Sequence, residues 1–179
     1  MKLTVDRVVN EPNDVAISID GYVPIDIKIF ESKGFPPLYW RIGNGKRSLL
    51  EFAVLPENGF LSAITLVIID PDSVQKVDKL QVEISGSENG FPVADLELWE
   101  CSNNNDFSQR FVDDFNFDIQ AFTSSDSILL LIGENKDETR WIKCSDTFCL
   151  GINDKGNITH LFLDKLTEEA VHNFFESIG

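Results

Sequence analysis

Two stretches of this 179-residue chain, Leu49–Ile69 (LLEFAVLPENGFLSAITLVII) and Thr147–Leu163 (TFCLGINDKGNITHLFL), decide the fold. Each contains two apolar runs of strand length, separated by a short polar segment with a glycine. Glycine supplies the positive φ that a tight connection between strands requires. The sequence therefore predicts two antiparallel hairpins, which turn at Pro56–Gly59 and Asn153–Gly156.

Apolar and polar residues alternate with period two through much of the rest of the chain, as half-buried strands do. The segments spaced in this way are short, and helical patterns do not separate them, which favours antiparallel pairing. The strands predicted by this pattern are VAISI (15–19), PIDIKIF (24–30), KLQVEIS (79–85), VADLELWE (93–100), FDIQAF (117–122), SILLLIG (127–133) and TRWIKC (139–144).

The C-terminal segment LTEEAVHNFFESIG (166–179) has the pattern of a helix with one apolar stripe. Thr167 is the expected N-cap, so the helix is predicted from about Thr167 to Ser177, lying across one face of the sheet. A second short helix is expected in DSVQKVDKL (72–80) or NDFSQRFVDDF (105–115). The predicted fold class is α+β, mainly antiparallel β-sheet hairpins with the C-terminal helix packed on the sheet, in a single domain of residues 1–179.

The same patterns predict which side chains form the core of this domain. The two similar hairpins are expected to extend or close one sheet system around one core, either as an internal duplication or as a chance similarity. The predicted core positions are Ile17, Ile19, Ile27, Ile64, Leu66, Val82, Leu98, Leu130, Phe174 and Phe175.

The net charge of −15 is the most informative bulk property of the chain. An acidic surface repels nucleic-acid phosphates and anionic lipid, so neither is an expected partner. The same surface attracts a basic protein, although an acidic surface that only serves solubility is the open alternative. The N-terminus lacks an apolar run of signal-peptide length, and three cysteines do not make a disulfide framework; both favour a cytoplasmic protein.

The sequence contains no GxGxxG, Walker or HExxH motif, so no cofactor, metal or catalytic site is predicted. GNGK (43–46) precedes a strand pattern and is predicted to be a turn. Cys149 and His160 are expected on facing strands, close to opposite one another, where a nucleophile pair is conceivable. A structural thiol is the favoured interpretation, because no third group orients such a pair. Cys144 and Cys149 are not at the spacing of a metal site.

Two segments combine acidic and aromatic residues, DLELWE (95–100) and FVDDFNFD (111–118). If Leu96 and Leu98 face the core, Asp95, Glu97 and Trp99 share the outer face of a strand. An exposed tryptophan among acids is typical of a protein-binding hot spot, although a Trp99 covered by the helix or by a second layer is the favoured interpretation of its environment. FPPLYWRIG (35–43) is interpreted as a recognition loop or as a plug over the core. The candidate partner-binding residues are Asp95, Glu97, Trp99, Asp113, Asp114 and Asp118.

The segment Arg47–Asp70 resembles a strand-turn-strand of small bacterial immunity proteins, with a weaker echo at Thr147–Leu163. These proteins are encoded beside polymorphic toxins, including those of contact-dependent growth inhibition systems. The resemblance implies a short, acidic protein without enzymatic activity that binds and blocks one cognate toxin domain. A nuclease must hold phosphates with Lys and Arg, so a basic nuclease is the expected partner. A small α+β enzyme and an adaptor subunit are the alternatives.

Overall fold

The computed structural model describes residues 2–100, 110–134 and 138–179. Within these ranges the chain forms fifteen strands and one α-helix, with short 3-10 turns at Pro71–Ser73 and Glu97–Trp99. The elements are β1 (Val5–Val9), β2 (Ala16–Ser18), β3 (Ile25–Lys28), β4 (Leu38–Gly43), β5 (Leu49–Val54), β6 (Leu61–Ile68), β7 (Val74–Lys76), β8 (Glu88–Asn89), β9 (Phe91–Ala94), β10 (Phe111–Asp114), β11 (Ile119–Thr123), β12 (Ile128–Ile132), β13 (Arg140–Lys143), β14 (Phe148–Ile152), β15 (Ile158–Leu163) and α1 (Glu168–Ser177).

The strands form three sheets. A six-stranded sheet has the order β10-β4-β5-β6-β3-β2, a seven-stranded sheet has the order β7-β11-β12-β15-β14-β13-β8, and β1 pairs with β9 in a two-stranded ribbon. Most neighbours are antiparallel, as predicted. The parallel pairs among the described strands are β10 with β4, β7 with β11 and β8 with β13, and each joins an edge strand to its sheet. The architecture is mostly β with one C-terminal helix, which is consistent with an α+β class.

Both hairpins form at the predicted turns. β5 and β6 connect through Pro56–Gly59, β14 and β15 connect through Asn153–Gly156, and Gly59 and Gly156 both have φ +76. They do not extend one sheet, however: the first hairpin lies in the six-stranded sheet and the second in the seven-stranded sheet. The expectation of one sheet system is therefore wrong, because each hairpin recruits its own neighbouring strands.

The ribbon of β1 and β9 connects the two hairpin turns. The backbone N–H of Ala94 donates to the carbonyl of Gly59 at 2.7 Å, and that of Val5 donates to the carbonyl of Gly156 at 2.8 Å. Val5 and Ala94 are themselves paired across the ribbon. The two similar hairpins therefore present their turns to one pair of ribbon residues, which gives a structural reason for the repetition.

The inner faces of both large sheets contribute to one hydrophobic cluster, in which the rings of Trp40, Phe52, Phe148 and Phe174 are at most 1% exposed. Most of the predicted core positions are buried, namely Ile19, Ile27, Ile64, Leu66, Leu130 and Phe174. The remaining predictions are wrong, because these residues are only half-buried: Ile17, Val82, Leu98 and Phe175.

Helix α1 has the predicted bounds. The Thr167 hydroxyl accepts a hydrogen bond from the backbone N–H of Ala170 at 3.1 Å, which caps the first turn. The Asn173 side chain donates to the carbonyl of Ile19 at 3.1 Å, and the Lys76 ammonium lies 4.1 Å from the centre of the Phe175 ring. These contacts join the helix to residues beside β2 and in β7. That the helix lies across one face of a sheet stays a prediction.

The segment Leu80–Ser85, predicted as a strand, has no regular structure. Its apolar residues alternate as the sequence indicates, and Leu80, Val82 and Ile84 pack against the cluster of Trp141, Cys149 and Phe162. The alternation therefore reflects the packing of these side chains on the sheet, in a segment to which no strand is assigned.

Two further predictions of local structure are wrong. FPPLYWRIG is not a loop, because its last six residues form β4; FVDDFNFD, which contains candidate contact residues, begins as strand β10. DSVQKVDKL forms a 3-10 turn and strand β7 rather than a helix. Strands β7 and β10 are parallel partners of segments far away in the chain, so local patterns do not reveal them. Residues 105–109 of NDFSQRFVDDF lie outside the described residues, and its described part contains strand β10 rather than a helix. GNGK is the predicted turn, between β4 and β5.

Candidate functional site

The six-stranded sheet has one buried face and one face whose side chains reach solvent within the described part of the chain. Trp40, Phe52 and Ile64 on the buried face are 0% exposed, whereas their strand neighbours Arg41 and Glu51 are half-buried. We call the second face the open face. By the register of the strands it consists of Asp26, Lys28, Tyr39, Arg41, Glu51, Ala53, Ala63, Thr65, Phe111 and Asp113.

A rigid cluster of aromatic and charged side chains occupies one side of the open face. The Arg41 guanidinium donates from Nε to Oδ1 of Asp113 at 2.6 Å and from Nη2 to Oδ2 at 2.8 Å. It also lies 4.5 Å from the centre of the Phe111 ring, which stacks on Tyr39 at 4.9 Å with an interplanar angle of 10°. The hydrogen bonds to Asp113 raise the pKa of Arg41. A guanidinium held in two directions is preorganised, and Tyr and Arg are the residue types that dominate binding hot spots.

Glu51 lies at the centre of the open face, opposite Arg41 on β4 and Thr65 on β6. Burial raises the pKa of its carboxyl group; the charge of Arg41 lowers it, and that of Asp113 raises it. Arg41 makes its bidentate bond to Asp113, and no described side chain forms a salt bridge with Glu51. Glu51 is therefore a partly desolvated carboxylate that an arriving cation would stabilise.

The other side of the open face is flat and paired. The Thr65 hydroxyl donates to Asp26 at 2.9 Å, and the Lys28 ammonium lies 3.8 Å from the same carboxylate. Ala53 and Ala63 face each other across β5 and β6 and add no bulk. Asp113 and Asp26 thus have salt-bridge partners on this face, whereas Glu51 has the charge of Arg41 nearby but no salt bridge to a described residue.

The acids predicted as contacts occupy several places around β10. Asp113 lies on the open face, and Asp114 follows it in β10, where its carboxylate accepts from the Asn116 side chain at 3.2 Å. Asp118 is exposed just before β11, and its carbonyl accepts from the N–H of Gly133 at 2.7 Å. Asp95 and Glu97 are at the 3-10 turn after β9, so they are not part of the open face. Whether these acids contact a partner stays a prediction.

Trp99 does not share an outer strand face with Asp95 and Glu97, so that prediction is wrong. The strand ends at Ala94, and the carboxylate of Asp95 accepts from the N–H of Glu97 at 2.9 Å, which begins the 3-10 turn. The turn directs Trp99 inward, where it is 3% exposed and its indole N–H donates to the carbonyl of Arg110 at 3.2 Å. A buried Trp99 supports β10 from behind and offers almost no surface to a partner.

Sequence reasoning did not single out Arg41 and Glu51, and it placed Tyr39 in a segment interpreted as a recognition loop or a plug. Tyr39 and Arg41 alternate with Trp40 and Ile42, a period-two pattern that indicates a strand with one polar face. The prolines before this pattern led to its interpretation as a loop. Glu51 lies in a correctly predicted hairpin. That Arg41 is its neighbour becomes known only from the pairing of β4 with β5.

Comparisons with known proteins identify the family. No protein-family model matches the chain. The chain is 58% identical over 83 residues to Immunity protein CdiI-1 of Escherichia coli O157:H7 (strain EC869), an alignment that covers 46% of this chain and 96% of that protein. The chain belongs to the immunity proteins of contact-dependent growth inhibition systems. The resemblance seen in Arg47–Asp70 pointed to this family, and the predicted family is confirmed.

This immunity-family chain also has a groove on the outward side of the seven-stranded sheet. It is an open groove of about 890 Å³ between the segment Gln81–Gly86 and the sheet, with Trp141 and His160 among its lining residues. Burial lowers the pKa of His160 to about 4, and its Nδ1 lies 2.9 Å from the Thr159 hydroxyl. The imidazole is therefore neutral at physiological pH.

Cys149 and His160 of this immunity-family chain do not form the pair considered above. They lie on the facing strands β14 and β15 as predicted, but with an offset of two residues, because Cys149 is opposite Phe162 and His160 is opposite Gly151. Burial raises the pKa of the Cys149 thiol, and burial also raises that of Cys144, so neither is a ready nucleophile.

Among the described residues, no three His, Cys, Asp or Glu side chains are placed to hold a metal ion. Cys101 lies outside the described ranges. Of the helices in the described ranges, none has both the length and the apolar character needed to cross a membrane.

Proposed function

We propose that this protein is an antitoxin, which binds a cognate toxin domain stoichiometrically and thereby neutralises it without an enzymatic step. Membership of the immunity proteins is the observation that carries the proposal. The open face supports it, because a preorganised cluster of Tyr39, Arg41 and Phe111 is the kind of surface that proteins use to bind one another.

We further propose that the toxin is a basic nuclease and that this protein covers its active site. The support is electrostatic. A nuclease holds phosphates with Lys and Arg, and a protein of net charge −15 complements such a surface. The exposed acids Glu97 and Asp118 add negative charge near β10. Steering by these charges is expected to raise the rate of association.

Co-expression with the product of the adjacent toxin gene tests the antitoxin function. Cells that carry both genes should survive and should yield a 1:1 complex on purification, whereas cells with the toxin domain alone should stop growing. Death of the doubly transformed cells, with no complex recovered, would show that the protein is not the antitoxin of that toxin.

The nuclease assignment needs a separate measurement. Chromosomal DNA and total RNA from cells that express the toxin domain alone should be degraded, and both should remain intact when this protein is present. Intact nucleic acid in dying cells would leave the antitoxin function standing and reject the nuclease.

A further inference from the structure

We propose that the open face is the surface that docks the toxin, and that Glu51 accepts a lysine or arginine side chain of the toxin at its centre. This proposal rests on the antitoxin function proposed above. Its partner is defined by chemistry: a flat or gently convex protein segment that carries one central cation, bordered by groups that contact the aromatic rings of Tyr39 and Phe111.

Charge complementarity selects this occupant. The open face carries the carboxylates of Asp26, Glu51 and Asp113 and the cations Arg41 and Lys28. Arg41 is bonded to Asp113 at 2.6 Å, and Lys28 lies 3.8 Å from Asp26, which leaves Glu51 without a salt bridge to any described residue. Burial already raises the pKa of Glu51, so its charge has lost part of its hydration before a partner arrives. A cation placed over it recovers electrostatic stabilisation at a small further cost of desolvation.

The position of Glu51 in the sheet determines how a partner can reach it. β5 has β4 on one side and β6 on the other, so its backbone N–H and C=O groups are engaged in the sheet. Recognition at this place must therefore use side chains rather than an added strand. The neighbouring side chains Ala53 (5% exposed) and Ala63 (half-buried) add no bulk beside Glu51, and the Arg41 guanidinium is fixed by Asp113 and Phe111.

The groove beside His160 is a weaker candidate for the same partner. Its lining includes the cation Arg140 together with Glu83, Glu138 and Asp154. The imidazole of His160 is neutral, and Trp141 is only 8% exposed, so it offers little aromatic surface. The groove nevertheless provides the alternative location that an experiment should separate from the open face.

Glu51→Gln is the variant that tests the proposal, because it removes the charge and keeps the shape. Glu57→Gln is the matched control, since it changes net charge equally at an exposed turn position outside the open face. The probe is the toxin domain encoded by the adjacent gene, separated from its complex in denaturant and refolded, and the readout is binding kinetics. Glu51→Gln should weaken binding at least about tenfold, mainly through faster dissociation, and Glu57→Gln should stay within about twofold of wild type.

Ala63→Arg is the second variant, because it places a bulky cation on the open face without touching the core. It should abolish detectable binding while the far-UV spectrum and unfolding midpoint remain those of a folded protein; Glu83→Gln in the groove should bind as wild type does. If Glu51→Gln and Ala63→Arg are folded and bind the toxin domain as the wild type does, the proposed docking surface is rejected, and the antitoxin function is unaffected by this result. Absence of binding by the wild type would instead reject the antitoxin function. A wild-type dimer that Ala63→Arg converts to a monomer would show that a second copy occupies this face, which also overturns the proposal.

Discussion

Glu51 is the residue at which stability and binding are expected to oppose each other. A carboxyl whose pKa is raised in the folded state favours folding while it is protonated, and this contribution is lost as the pH rises through the raised pKa. Glutamine cannot ionise, so Glu51→Gln should be more stable than wild type at pH 7. The difference in the free energy of unfolding between the two proteins should disappear as the pH falls below the ordinary pKa of a glutamate side chain. Urea unfolding of both proteins across this range measures it, with Glu57→Gln as the control that should show no such gain; an unchanged or lower stability of Glu51→Gln at pH 7 would contradict the argument.

His160 should also make the stability of the protein depend on pH, but in the opposite direction, because here stability is lost as the pH falls. Burial lowers its pKa from 6.5 to about 4, so the unfolded chain binds a proton between these pH values while the folded chain does not. Stability is therefore lost as the pH falls from about 6.5 towards 4, and it is unaffected above this window. His160→Gln should flatten this part of the stability profile and match wild type at pH 8 apart from a constant packing difference. Thermal unfolding at intervals across the window measures the slope, and parallel profiles would refute the role of His160.

At the scale of elements, the two hairpin turns depend on glycine for two reasons. Gly59 and Gly156 have φ +76, and a Cβ on either would lie 2.6 Å from the carbonyl oxygen of Ala94 or 2.9 Å from that of Val5. Gly86 is the matched control, because it has φ +80 with no atom within 4 Å of a Cβ. Gly86→Ala should lose about 1–2 kcal/mol from the backbone conformation alone. Gly59→Ala and Gly156→Ala should each lose more in urea unfolding, and equal losses at all three sites would show that the ribbon does not constrain the turns.

The C-terminal helix contributes one fully buried side chain, Phe174, to the hydrophobic core. Phe174 is 0% exposed and belongs to the main hydrophobic cluster, so Phe174→Ala should destabilise the protein by about 3–5 kcal/mol. Phe175→Ala is the control on the same helix, where the ring is half-buried and the loss should be clearly smaller. A loss below about 1 kcal/mol for Phe174→Ala in chemical denaturation would mean that the helix is not anchored by this ring.

Comparison of sequence and structure separates what is encoded locally from what is not. Both hairpins and the helix were predictable, because a turn glycine or a capping threonine lies within a few residues of the pattern it ends. Strand β10 was not, because its partner β4 lies far away in the chain and the bond between Arg41 and Asp113 joins residues 72 positions apart; β4 has an alternating pattern, which the two prolines before it obscured. Trp99 was misplaced for a related reason: the hydrogen bond of Asp95 ends the strand, which alternation alone does not indicate.

The candidate site shows the same limit at a larger scale. Asp113 was identified from its acidic and aromatic neighbours, yet the carboxylate that lacks a salt bridge is Glu51, in a segment noticed only for its apolar residues. The two acids differ because Arg41 forms its salt bridge with Asp113 and not with Glu51. Arg41 lies between them because β4 lies between β10 and β5 in the sheet. Sequence therefore indicated the type of surface, and the sheet order determined which residue forms its centre.

For the whole molecule, net charge and the open face should affect different steps of binding. A charge of −15 acts over distance and is screened by salt, so it should govern association, whereas the contacts of Glu51 are formed only in the complex and should govern dissociation. The association rate constant with the adjacent toxin domain should fall about tenfold or more between low salt and about 0.5 M salt.

The dissociation rate constant should change far less over the same range of salt. Charge reversal at Glu97 and Asp118, two exposed acids outside the open face, should lower the association rate constant at low salt and weaken its salt dependence, with little effect on dissociation. Stopped-flow mixing at a series of salt concentrations measures both constants for the two variants and wild type. An association rate constant that does not change with salt would mean that the acidic surface serves solubility and does not steer the toxin, because any long-range attraction between opposite charges must weaken as counter-ions screen it.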